Sequence, residues 1–465
     1  MANNISGFLE LLPADRRVEA EITDTFRHVA KLHGFQEIET SAVQTTNSLL
    51  QKGETSKEIY ALTRLQQYFA DNSAAHVQDS ELPKHSLRFD LTVPLSNYVR
   101  TNANELVFPF KVFQIQKVWR GERPQKGRFR EFTQADIDIV CKNIMPEHFE
   151  TEVPKVLLKI LAELQKVGVP KAQMHINDRR LLEAYYKLIG IKDVAIVMQV
   201  IDKLDKIGAQ KTDEMLSEIG LGADKTAKIL DFSAIIAHSK QEFMQKVQEF
   251  VTKHGMQETD ELLYEVERLG DKLDAITADG FDAVIDTKIA RGLDYYTGIV
   301  FETFINGHEK FGSICSGGHY EKLIALGKDS YPGIGLSIGI TRLMSFLIDN
   351  ADSELQQKAS PADVLVLVNS ESTRNASDDL AKTLRSRQIA TDVCPFSDKF
   401  GKQIRYAEKL GIRYCWFVGE NGAGLGNDSG NDSGNDSVKD IVTGEQVPAD
   451  RNIWSVKAET EVIER

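Results

Sequence analysis

The densest run of chemistry-bearing residues is KVWRGERPQKGRFREF, positions 117–132. It carries six basic residues (Lys117, Arg120, Arg123, Lys126, Arg128, Arg130) against two acidic ones, Glu122 and Glu131. Arginine presents a planar, permanently charged fork that matches phosphate oxygens. Pro124 and Gly127 mark a turn between two strands. An arginine-rich hairpin of this kind suits polyphosphate; the alternative is a solvated basic loop. Two flanking stretches would supply a floor. In LRFDLTV, a period of two puts Arg88, Asp90 and Thr92 on one face. In EFTQADIDIV, it groups Phe132, Gln134, Asp136 and Asp138 opposite Thr133, Ala135, Ile137 and Ile139. Short acceptors beside arginines make a polar binding surface, although an antiparallel sheet with one wet face has the same pattern.

Two further segments stand out. ARGLDYYTGIVFE, positions 290–302, sets Arg291 beside glycines and the adjacent Tyr295 and Tyr296. Tyrosine rings line pockets and their hydroxyls orient ligands, or else this is a glycine turn with one core tyrosine. PGIGLSIGITRL, positions 332–343, misses the dinucleotide fingerprint by one position, and no GxxxxGK[ST] loop occurs anywhere. Its glycines, followed by Arg342, suit close backbone approach to a flat ligand, or simply ease strand packing. The ten histidines show no HExxH or other metal spacing.

These residues must be held by folded domains. At 465 residues the prior is about three domains. Residues 18–32 have helical periodicity, 35–40 read as extended, and 86–140 are strand-rich. Between 150 and 275 long helical patterns take over with few strand signals. Strand-like sequence resumes at Phe281 and runs to a helix over 341–348. The polar stretch 352–361 is a linker candidate. Beyond it, the run ADVLVLV, helices at 377–387 and 401–410, a strand at 389–394 and the apolar YCWFV alternate as in a small α/β domain. Within it, NDSGNDSGNDS at 427–437 reads as a polar loop.

Hydrophobic residues make up 42% of the chain, and Lys plus Arg against Asp plus Glu gives 56 − 69 = −13. That excludes a generically basic nucleic-acid coat, though not a local basic site. Four cysteines without a CxxC pair exclude a disulfide framework. No run approaches ~18 unbroken apolar residues, and no signal-peptide pattern opens the chain. The expectation is a cytoplasmic, multidomain protein with no membrane partner.

Taken together, the segments resemble the class II aminoacyl-tRNA synthetases, and among them the histidyl-tRNA synthetase family. VWRGERPQKGRFREFTQADID is similar to the second class motif, GIGLSIGITRL to the third, and RGLDYYTG to the histidine-specific signature. GFLELLPADRR, DLTVPL, NDRRLLE and KDIVTGEQ extend the likeness over nearly the whole chain, the DLTVP and NDRR forms being nearest the eukaryotic-type branch. The resemblance implies an α+β catalytic domain with a mixed, mainly antiparallel sheet flanked by helices (1–150 and 276–350). It also implies a mainly helical insertion (151–275) and an α/β anticodon-binding domain (361–465). It implies a ligase that activates L-histidine with ATP and Mg²⁺ and transfers it to tRNA(His), as a homodimer.

Residue by residue, the resemblance gives Asp90, Leu91, Thr92, Arg120, Gln134, Asp138, Arg291, Tyr295 and Tyr296 to histidine. It gives Arg120, Glu122, Arg128, Phe132 and Arg342 to ATP. Arg120, Arg291 and Arg342 are the catalytic set, Arg123 and Gln125 meet the tRNA acceptor end, and no side chain is given to a metal.

Three departures qualify the pattern. ETSAVQ, with Ser41 and Ala42, lacks the usual proline of the dimer-forming first motif. GGHYE replaces GGRYD, putting His319 where an arginine near the active site is usual. The NDSG repeat occupies a normally tight turn. The rivals are a non-catalytic, histidine-binding paralogue and a ligase for another amino acid. The first predicts loss of the phosphate arginines, of RGLDYY or of the anticodon domain, and RGLDYY argues against the second. From 361 to 465, 13 basic and 17 acidic residues give −4, and Lys402, Arg405 and Lys409 share one helix face. That face is either an RNA contact or ordinary solvated surface.

Overall fold

The computed structural model describes residues 5–50, 58–66, 83–290, 296–321, 323–350, 358–419 and 436–456. They form two compact units, one comprising 1–10 and 19–350, the other 11–18 and 351–465.

The first unit is built on a nine-stranded sheet. Its strands are β1 (Gln36–Glu37), β5 (Phe110–Trp119), β6 (Glu131–Val140), β7 (Ala172–Asp178), β8 (Ile236–Ala237), β9 (Ala283–Asp286), β10 (Tyr296–Ile305), β11 (Cys315–Tyr320) and β14 (Gly333–Gly339). The order is β1-β5-β6-β14-β11-β10-β7-β9-β8. Only the β1–β5 and β7–β9 pairs are parallel, so the sheet is mixed and mainly antiparallel. Three short strands, β2 (Val43–Thr45), β3 (Ala61–Leu62) and β4 (His85–Leu87), make a small separate sheet, and β12 (Ala325–Leu326) pairs with β13 (Asp329–Ser330).

Helices cover the apolar face. In α1 (Pro13–Leu32), Ile22, Phe26 and Val29 recur at one-turn spacing and are buried. Phe26 lies 6.0 Å from Phe113 of β5. After α2 (Thr46–Leu50) and α3 (Thr92–Asn102), α4 (Phe149–Leu164) presents Val153, Val156, Leu157, Ile160 and Leu164 to β6 and β14. Each such side chain contributes about 1.5–3 kcal/mol of burial. Residues 151–275 continue with α5 (Arg179–Leu188), α6 (Val194–Ile201), α7 (Leu204–Ile207), α8 (Ala209–Glu218), α9 (Ala223–Ser233), α10 (Lys240–Lys253) and α11 (Asp260–Thr277). The same stretch supplies β7 and β8 to the main sheet. The weak strand signal there has a physical cause. β7 ends on Asn177 and Asp178, buried polar residues whose side chains are satisfied by backbone and arginine partners that periodicity does not show. The unit closes with α12 (Ile340–Asp349).

The second unit has a five-stranded sheet, β16-β15-β17-β18-β19, from β15 (Val364–Val366), β16 (Thr391–Val393), β17 (Tyr414–Phe417), β18 (Ser437–Asp440) and β19 (Gln446–Pro448). Val364 and Val366 pack with Leu380 and Leu384 of α13 (Arg374–Ser386). Leu365 packs on the other side with Ala407 of α14 (Phe400–Leu410). A parallel strand covered on both faces needs apolar residues at every position, which is why VLVLV reads as an unbroken run.

Candidate active site

Register sets the floor of the site, because residues directly opposite in a sheet share a face. Gln134, Asp136 and Asp138 of β6 stand opposite Gly339, Ser337 and Gly335 of β14. Gln114 and Gln116 of β5 stand opposite Asp136 and Gln134, and Ser316 and Gly318 of β11 opposite Ser337 and Gly335. This polar face is not wet. Gln114, Gln116, Gln134, Asp136 and Asp138 are between 1% and 9% exposed. They are bonded within the protein: Gln134 Nε2 donates to Asp136 Oδ1 at 2.8 Å, and Thr40 Oγ1 donates to Gln114 Oε1 at 2.8 Å. With its amide N–H spent on Asp136, Gln134 keeps its carbonyl oxygen as an acceptor.

Asp138 is 3% exposed. Tyr320 Oη donates to its Oδ1 at 3.1 Å, and the carboxylate occupies the space above Gly335, where an added Cβ would lie 1.9 Å from Oδ1. Only glycine fits there.

The arginines come from 120–130, which links β5 to β6. The N-terminal turn braces that loop: Arg130 N donates to Gly7 O at 2.7 Å and Arg130 Nε to Glu122 O at 3.2 Å. Gly7 sits at φ 87, and a Cβ there would meet Pro124 and Arg130 at 2.9 Å. Arg120 Nε donates to Phe89 O at 2.9 Å, and its guanidinium lies 5.1 Å from the Phe132 ring centroid. Arg128 pairs with Glu122 at 3.3 Å. Arg342, in the first turn of α12, donates to Phe311 O and lies 5.0 Å over that ring. α12 is tied to β6 by Thr133 N donating to Thr341 Oγ1 at 2.8 Å.

These parts surround a cavity of about 450 Å³. Of the residues the sequence singles out, Asp90, Thr92, Arg120, Glu122, Arg128, Phe132, Gln134, Tyr296 and Arg342 line it. Leu91 and Asp138 lie buried behind the wall, and Arg123 and Gln125 are exposed on the loop. Arg291 and Tyr295 fall outside the described residues, as does most of the NDSG repeat.

Two readings need correction. LRFDLTV is not one strand. β4 stops at Leu87 and α3 starts at Thr92. Asp90 Oδ1 accepts from Val93 N at 3.2 Å, and Pro94 sits in the first helical turn, where no N–H is needed. Arg88 therefore turns from the cavity and donates to Thr40 O at 2.6 Å and Lys117 O at 2.8 Å. His319 is also not at the cavity. It stands opposite Ile334, on the helix-covered face, with Nδ1–H donating to Glu150 Oε1 at 2.6 Å.

The cavity wall includes residues the sequence reading passed over. Glu58 reaches it from before β3, and its backbone O accepts from Gly121 N at 2.8 Å. Lys206 reaches it from α7, and residues 313–316 from the start of β11. Glu58 and Lys206 look like ordinary surface charges in sequence, and SICS carries no charge to attract notice. Burial pushes the Cys315 thiol up, so it is no nucleophile here. Among the described residues no group of three His, Cys, Asp or Glu side chains could hold a metal. Fixed cations above a dry acceptor floor can bind a polyphosphate and stabilise charge developing on phosphorus.

The family model described as Histidyl-tRNA synthetase matches residues 7–343, and one described as Anticodon binding domain matches 363–451. The chain is 47% identical to the histidine–tRNA ligase of Bifidobacterium longum subsp. infantis, covering 97% of this chain and 96% of that protein. It is 42% identical to the histidine–tRNA ligase of Cutibacterium acnes, covering 98% and 96%. Both organisms are bacteria, whereas the DLTVP and NDRR forms read as eukaryotic-type. The crystal structure of histidyl-tRNA synthetase from Nostoc sp. matches with a TM-score of 0.79 at 31% identity, covering 97% of each chain. With both family models in chain order and relatives aligned end to end, this chain belongs to the histidyl-tRNA synthetase family.

Proposed function

We infer that the chain is a histidine–tRNA ligase. It activates L-histidine with ATP to histidyl-adenylate and pyrophosphate, then passes the acyl group to the 3′-terminal adenosine of tRNA(His). The observation that carries this reading is the pairing of a cavity walled by Arg120, Arg128 and Arg342 with a buried carboxylate, Asp138, set behind its floor.

Asp90, Thr92 and the free carbonyl of Gln134 hold the α-amino group, with Leu91 fixing that turn. Asp138 and Tyr296 read the imidazole, and Tyr295 closes the pocket. An analogue that cannot donate to this buried carboxylate forgoes a charge-assisted hydrogen bond, a loss of about 1–3 kcal/mol. Phe132 stacks the adenine beside Glu122; Arg128 and Arg342 hold the outer phosphates. Arg120 and Arg291 lie along the reacting carboxylate and α-phosphate.

In the first step a carboxylate oxygen attacks the α-phosphorus as pyrophosphate leaves. Two anions must meet, so fixed guanidinium charge and close placement supply most of the acceleration. The magnesium complex of ATP is the substrate, and the ion neutralises part of the phosphate charge. In the second step the terminal ribose hydroxyl attacks the acyl carbon and AMP leaves. Arg123 and Gln125 meet the acceptor end, and 361–465 binds the anticodon. On this reading 1–150 with 276–350 is the catalytic domain and 151–275 an insertion. The ligase works in the cytoplasm as a homodimer.

The test is amino-acid-dependent ATP–pyrophosphate exchange on the purified protein, with Arg291→Ala as control. Histidine alone of the twenty amino acids should stimulate exchange, and the variant should lose it by at least 100-fold. Histidine binding without exchange would instead mark a non-catalytic histidine-binding protein.

A further inference from the structure

We propose that Lys206 is a phosphate-binding residue, delivered to the cavity by the helical segment rather than by any of the motifs. The proposal deepens the ligase reading and rests on it.

Lys206 lies on α7 and forms part of the same wall as Arg120, Arg128 and Arg342. It is exposed, and its ammonium makes no ion pair among the described residues. Its neighbours hold the short helix in place. Asp205 pairs with Lys288 Nζ at 3.3 Å, and Lys288 lies 3.6 Å from Asp286 at the end of β9. Asp286 is fully buried and also accepts from His175 Nδ1 at 2.8 Å. A chain of charged contacts thus fastens α7 to β9 and β7 of the sheet. Asp205 is spent on that anchor and the adjacent Lys206 is left to face the cavity.

The chemistry follows from charge. A polyphosphate brings several negative charges into a cavity whose wall also holds Asp90, Glu58 and Glu122. Arg128 is partly occupied by Glu122 and Arg120 by a backbone carbonyl. An uncommitted ammonium is the complement such a ligand needs, and lysine binds phosphate as a point charge. The phosphate oxygens have two sources, the nucleotide (ATP or pyrophosphate) and the terminal phosphodiester of tRNA.

The experiment compares Lys206→Ala, Lys206→Glu and Lys206→Arg, each checked for unchanged melting, in two assays. One is pyrophosphate exchange without tRNA; the other is histidine transfer to tRNA(His) under saturating ATP. Lys206→Ala should raise the KM of the phosphate-bearing ligand about 5-fold, as for an exposed ion pair. Lys206→Glu should raise it further, Lys206→Arg should restore it, and histidine KM should stay put. A rise in exchange names the nucleotide; a rise confined to transfer names the tRNA. Unchanged constants for both Ala and Glu, or a change in histidine KM alone, would overturn the proposal. If the wild-type protein shows no histidine-dependent exchange, the ligase reading fails first, and that outcome is read separately.

Discussion

Asp138, which we propose reads the imidazole, shows how a side chain's setting is made by its neighbours. Its carboxylate is held out of water by Tyr320 and fits only because Gly335 has no side chain. Gly335→Ala should therefore push Asp138 aside. Histidine KM in pyrophosphate exchange should rise about 10- to 100-fold, the loss of one charged hydrogen bond, while the KM for ATP holds. Equal losses for both substrates would mean the sheet itself had failed. Tyr320→Phe keeps the ring and removes one donor, so the same assay should show a smaller rise in histidine KM, about 5- to 10-fold. The period-two pattern of β6 was legible in sequence and placed Gln134, Asp136 and Asp138 on one face. Their burial was not, because it depends on Gln114, Ser337 and Gly335 arriving opposite them from other strands. Lys206 and Glu58 were illegible for the same reason: long-range contact makes them wall residues, and nothing local distinguishes them.

A clasp of helices beneath the sheet carries the next consequence. Glu150 of α4, 1% exposed, contacts His319 of β11, Arg180 of α5 and Lys272 of α11. Arg180 and Arg268 also bind Asp178 at the end of β7, at 2.7 and 3.1 Å. Burial alone would push the Glu150 carboxyl up. The His319 hydrogen bond and the charges of Lys272 and Arg180 outweigh it and hold the group well below the ordinary carboxylate range. A folded-state value below the unfolded 4.5 means stabilisation that is present above that pH and lost as pH falls. Glu150→Gln should cost about 3 kcal/mol at pH 7, since it strands buried cations. Its urea midpoint should approach that of the wild type on acidification below pH 4.5; parallel curves would exclude the assignment. In sequence, Glu150 and Lys272 look like the charged sides of amphipathic helices. Periodicity marks 150–275 as helical, but does not show which of the charges on its helices turn inward.

The proposed function divides the labour between the two units, and that division can be measured. The second unit was the more legible, since VLVLV, two amphipathic helices and YCWFV announce a small α/β sheet by local pattern alone. Its net charge of −4 across 361–465 argues against a broad RNA surface, so any contact must be local. Lys402, Arg405 and Lys409 are all exposed on α14, although Lys402 pairs with Asp398 at 2.7 Å. If this face meets the anticodon arm, the triple change to glutamate should raise the tRNA(His) KM at least 10-fold and flatten its dependence on salt, because fewer phosphate counterions are released. On the proposed function, histidine-dependent pyrophosphate exchange needs only the catalytic unit and should be untouched. A charging defect whose salt dependence matches the wild type would point to a structural lesion, and an unchanged KM would move the RNA contact to another face of the domain. On that division the paired readout separates an anticodon contact from general damage, because charging would report on both units and exchange on the catalytic one alone.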